Sequence, residues 1–121
     1  MSKNKPSEAV LDQIIKRCRY HIAQMIYLAN HRPDIQKGDP KVGGHASAST
    51  SALHILSALH LIVKTSYDHI CNKPHASPAD HSLNYLMDLF LNKDLSRMTE
   101  DECNIAMRGL RKFSSEGEPV F

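Results

Sequence analysis

The chain has 121 residues, 41% of them hydrophobic and 23% charged, with a formal net charge of +2. That composition fits one globular domain and excludes a disordered, highly charged tail; a chain of this length buries roughly two thirds of its unfolded surface, enough for one core. Basic residues are scattered, with Lys3 and Lys5 at the start and Arg108, Arg111 and Lys112 near the end, so there is no stripe of the kind that displaces counterions from nucleic acid.

Residues 7–30 place Val10, Ile14, Ile15, Cys18, Ile22, Met25 and Ile26 at spacings of three and four, the pattern of an amphipathic helix. Ser7 is suited to cap it, with Glu8 in its positive first turn, and Asn30 followed by Pro33 predicts its end. Residues 31–44 carry Pro33, Gly38, Pro40, Gly43 and Gly44 without apolar periodicity and read as a loop. A second helix is predicted over 46–64, where Leu53, Ile55, Leu56, Leu59, Leu61, Ile62 and Val63 spread around the wheel; such a helix is expected to be mostly buried.

Residues 66–72 are too short for a stable helix, and Tyr67, Ile70 and Cys71 suggest a short strand there. Pro78 suits the first turn of a third helix running to about Leu91, with Ser77 as its cap and Leu83, Leu86, Met87 and Phe90 inward. Thr99 and Glu102 form a capping-box pattern that opens a fourth helix, with Cys103, Ala106, Met107, Leu110 and Phe113 inward. Residues 114–121 have no pattern and read as a disordered or truncated tail. The expected fold is therefore mainly α, four helices with at most one or two short strands.

The three cysteines, Cys18, Cys71 and Cys103, are an odd number and form no CxxC pair. They read as buried thiols in a reducing compartment. The polar start, Ser2 to Lys5, leads directly into the first helix, which predicts neither a secretory signal nor a membrane span and leaves the cytoplasm as the expected location.

Eight histidines raise the question of a metal site. Ligands on one helical face need spacings of three or four, whereas His54 and His60 are six apart, as are His69, His75 and His81. No metal motif follows, and His21, His31, His54, His60, His69 and His81 read as surface or satisfied core residues. His45 and His75 differ: each lies in a turn directly before a helix, within Gly43-Gly44-His45-Ala46-Ser47 and Pro74-His75-Ala76-Ser77-Pro78. Helix starts expose N–H groups and partial positive charge, and small neighbours permit close approach, so both turns are candidates to face an anionic ligand. Read locally, they are equally ordinary loop caps.

The order of a GGHxS turn, a buried helix, a short strand, a PHxSP turn, a helix and a capped final helix resembles the N-terminal part of thiamine-diphosphate enzymes of the transketolase superfamily. Within it, the homodimeric pyruvate dehydrogenase first component is the nearest likeness, over about residues 19–113. The resemblance implies that 1–113 is a partial, diphosphate-side module of an α/β thiamine-diphosphate-binding domain. It implies His45 and His75 as catalytic residues, and Gly43, Gly44, Ser47 and Ser77 as cofactor neighbours. It also implies thiamine diphosphate and magnesium in the intact enzyme and a 2-oxo acid or ketose as substrate. The family's GDG motif with its following Asn, which holds metal and diphosphate, does not occur here, nor does a domain for the aminopyrimidine. The expectation is an enzyme segment that is inactive and binds little cofactor alone, acting as a homo-oligomer or with a complementary chain. The alternative is a non-catalytic helical assembly module. Neither reading involves nucleic acid or a membrane.

Overall fold

The computed structural model describes residues 5–31, 33, 37, 38 and 45–109. Four α-helices account for most of them: α1 (Glu8–Asn30), α2 (Ala46–Ala58), α3 (Ser77–Leu86) and α4 (Glu100–Arg108). The protein is mainly α, as its periodicity predicts.

In α1 the Ser7 hydroxyl accepts from the Val10 N–H at 3.4 Å, so the expected cap forms. At the other end the Asn30 amide donates to the Ile26 carbonyl at 2.9 Å and the His31 ring Nδ1 lies 2.8 Å from the Tyr27 carbonyl. Of these two carbonyls, that of Tyr27 lies in the last turn, where partners within the helix run out. Ile15, Cys18, Ile22 and Met25 are buried as the spacing predicts, joined by Ala29, whereas Val10 is exposed and Ile14 and Ile26 are half-buried.

The first core cluster joins Ile15, Cys18 and Ile22 of α1 to Leu53 and Leu56 of α2 and to Ala79 and Leu83 of α3. Ile22, Leu53 and Leu83 are fully buried, each contributing about 1.5–3 kcal/mol by leaving water. A second cluster sets Met25 of α1 against Phe90 and against Cys103, Ala106 and Met107 of α4. The α4 stripe is the expected one as far as Met107; Leu110 and Phe113, like residues 114–121, lie outside the described residues.

The second helix departs from expectation in two ways. Its regular hydrogen bonding stops at Ala58, and residues Leu59–Val63 form a wider π-helical turn closed by the Lys64 N–H on the Leu59 carbonyl at 2.7 Å. It is also not mostly buried. Ile55 and Val63 are 65% and 63% exposed while Ser49, Ser57 and His60 are buried. The helix packs against α1, α3 and the turn Pro74–Ala76. The 18-residue window Ala46–Val63, 28% buried, has a mean hydropathy of 1.4 and is by length and composition apolar enough to cross a membrane.

The strand expected at 66–72 does not form. The Asp68 carboxylate accepts from both the N–H and the hydroxyl of Thr65 at 2.8 Å, folding the segment into a turn, a local alternative with which such side chains compete against extended structure. No neighbouring strand offers a ladder; among the described residues the only bridge pairs Leu91 with Arg97.

Helix α3 is shorter than predicted. It ends at Leu86 because Asp88 enters the left-handed region at φ 56, while the Asp88 N–H reaches the Tyr85 carbonyl and the Leu89 N–H the Asn84 carbonyl. This is a Schellman closure with Asp in the position usually held by Gly. Its start also differs: Ala76, not Ser77, occupies the cap position without a side-chain bond, and the Ser77 hydroxyl donates back to the Pro74 carbonyl at 2.7 Å. Residues 90–98 then form a tight reversal, with bonds between Phe90 and Met98 and between Asn92 and Ser96. Thr99 and Glu102 complete the expected reciprocal capping box of α4.

Cys18 and Cys103 are buried, but Cys71 is exposed, because it lies in the coil that would have been the strand. The expectation of three buried thiols holds for two.

Candidate functional site

The first turn of α2 and the short 3₁₀ turn Pro74–Ala76 are the two places that carry the singled-out histidines. His45 is the last extended residue before α2 (φ −108, ψ 113), and its side chain makes no cap bond. Its carbonyl accepts the Ser49 N–H at 3.2 Å, the first bond of the helix. His75 sits in the middle of the 3₁₀ turn, which Pro74 begins and the Ala76 N–H closes on the Lys73 carbonyl at 2.9 Å.

One residue joins the two turns. The Ser49 hydroxyl donates to the His75 carbonyl at 2.7 Å while its own N–H holds the His45 carbonyl. Ser49 is fully buried, so its hydroxyl has no competing water and needs this acceptor. The backbones of both histidines are thus tied to one residue, His45 through the Ser49 N–H and His75, 26 positions on, through the Ser49 hydroxyl, and both histidines remain exposed. An imidazole on a fixed backbone at the protein surface can donate to an oxygen, accept from one, or pass a proton between two groups.

The remaining expected neighbours are less closely joined to this arrangement. Ser47 is exposed on the first turn of α2. Ser77 is half-buried and its proton is committed to Pro74. Gly43 and Gly44 lie outside the described residues. Farther along α2, Thr50 and Ser51 bond back to the Ala46 and Ala48 carbonyls and so offer no cap to the helix start.

Two groups went unrecognised in the sequence. Ser49 is one of several serines in α2, and its spacing of four from His45 is the one local feature that sets it beside that turn. The second group is a part-buried polar chain: His60 Nε2 lies 2.9 Å from Asp80 Oδ1, and the Asn84 amide donates to Asp80 Oδ2 at 3.1 Å. His60 comes from the π-helical turn and Asp80 from α3, so this contact secures the helix that follows the second histidine turn. The opposite ring nitrogen, His60 Nδ1, and the Ser57 hydroxyl are buried without a hydrogen-bonding partner among the described residues. His60 is thus a core histidine, though satisfied at one nitrogen only.

Nothing among the described residues suits magnesium, which asks for several oxygen ligands: no cluster of three or more His, Cys, Asp or Glu side chains is positioned to hold a metal ion. Comparison with protein-family models, with curated proteins and with solved structures gives no match to this chain.

Proposed function

We propose that this chain is a segment of a cytoplasmic thiamine-diphosphate-dependent enzyme, of the pyruvate dehydrogenase or transketolase type, and that it supplies His45 and His75 to the active site. The observation that carries this reading is the Ser49 bridge, which ties the backbones of both histidines and leaves both residues exposed. In this reading one imidazole donates to the oxygen of a 2-oxo acid or ketose as that oxygen gains charge, and the other accepts or returns a proton. Metal and diphosphate are held outside the described residues, in a second copy, a complementary chain or another segment. The chain alone is then inactive and binds the cofactor weakly.

Nuclear magnetic resonance of the histidine ring protons tests this directly. With millimolar thiamine diphosphate and magnesium, the His45 and His75 resonances should move while those of exposed His31 and His69 stay still. Diphosphate without thiamine should reproduce part of the effect. Equal movement of all exposed histidines, or none at His45 and His75, would refute the assignment.

A second reading is favoured by the open side of α2, where Ile55 and Val63 face solvent. Under it the chain is a non-catalytic module that pairs through this helix with itself or with another chain. Sedimentation distinguishes it, because Ile55→Glu should then dissociate an oligomer seen with the native sequence.

A further inference from the structure

On the side of α3 that carries Asp80, a cleft of about 280 Å³ opens between the helix and the tight reversal that follows it. Asp80, His81 and Asn84 supply its polar lining; Leu89, Phe90, Leu91 and Met98 supply the apolar part. No Lys or Arg lines it, so Asp80 is its one formally charged carboxylate. Burial pushes the His81 imidazole below its ordinary value, against the opposing pull of Asp80, and so disfavours a positive charge on that ring.

The carboxylate is held ready. His60 binds one oxygen and Asn84 the other, which leaves each oxygen a second lone pair. One N–H of the Asn84 amide is engaged with Asp80, which leaves Asn84 its acceptor oxygen and a second N–H. Asp80 is only 23% exposed, and a charge partner in such a setting interacts more strongly than in bulk water. The cleft therefore offers acceptors and negative charge next to an apolar surface, in a volume just below the usual range of drug-sized ligand pockets.

We propose that this cleft binds a small organic cation, a primary ammonium on a short aliphatic or aromatic body, with its N–H groups on Asp80 and its body against Phe90 and Met98. The site is separate from the histidine turns and does not depend on the function proposed for them.

Benzylamine is a suitable probe and benzyl alcohol its uncharged match. In a titration followed by backbone amide resonances of the full chain, benzylamine should perturb residues 80–84, 89–91 and 98 and bind at least fivefold more tightly than benzyl alcohol. Asp80→Asn should erase that preference. Leu89→Lys, at a half-exposed lining position, should place a tethered ammonium beside Asp80 and weaken benzylamine at least fivefold, and it decides the matter should Asp80→Asn fail to fold. Equal binding of the two probes, perturbation centred elsewhere, or unchanged benzylamine affinity in Leu89→Lys would overturn the proposal.

Discussion

Replacing Ser49 with alanine removes the single hydroxyl that joins the two histidine turns. The His75 carbonyl loses its partner, and a buried acceptor left unpaired costs about 1–3 kcal/mol. Because that bond is only part-buried, water can replace some of the loss, and the lower part of the range, about 1–2 kcal/mol, applies. Alanine returns about 0.5 kcal/mol through its better helix propensity. The net expectation is a loss of about 0.5–1.5 kcal/mol, or roughly 2–6 °C in melting temperature for a chain of this size. Ser51→Ala is the control: its hydroxyl is exposed and bonds only within its own helix, so the variant should be neutral or slightly more stable. Urea unfolding followed by circular dichroism gives both values. The His75 ring resonance should also shift in Ser49→Ala and not in Ser51→Ala. If Ser49→Ala is as stable as Ser51→Ala, the bridge does not hold the second turn and the main support for a shared histidine site is gone.

Three further outcomes follow from other parts of the structure. Leu95 adopts φ 67 with its side chain 77% exposed, so Leu95→Asn, which tolerates the left-handed region, should raise stability by about 0.5–1 kcal/mol in urea unfolding; a destabilised variant would show that the leucine side chain matters. Hydrogen bonds from the Thr99 N–H and then its hydroxyl hold the Glu102 carboxyl below the ordinary glutamate value of 4.5. With the folded value the lower one, the unfolded chain binds more protons in between, so the contribution is complete above 4.5 and fades as pH falls through the folded value. The melting-temperature gap between native protein and Glu102→Gln should accordingly close below pH 4.5, and a gap constant to pH 3 would contradict the capping box. Burial pushes the Cys18 thiol up to about 11 and raises Cys103 as well, whereas Cys71 is exposed. A thiol reagent should titrate one cysteine in the native protein and three in denaturant, and Cys71→Ser should remove the native reaction; rapid labelling of Cys18 would contradict the core assignment.

The helices whose signals are local are legible in the sequence. Ser7 caps α1 and Thr99 with Glu102 caps α4 because those bonds span three residues and form whatever surrounds them. The inward stripes Ile15, Cys18 and Ile22, and Cys103, Ala106 and Met107, follow from helical periodicity in the same way. Both histidine turns were legible from their small and restricted neighbours. Tertiary structure alone decided which turns meet, since the Ser49–His75 and His60–Asp80 bonds join residues 26 and 20 positions apart and no pattern of neighbours encodes such a pairing. It also decided which side of α2 is covered. An all-round apolar helix has no preferred face in sequence, and here packing against α1 and α3 buries Ser49, Ser57 and His60 while leaving Ile55 and Val63 outside.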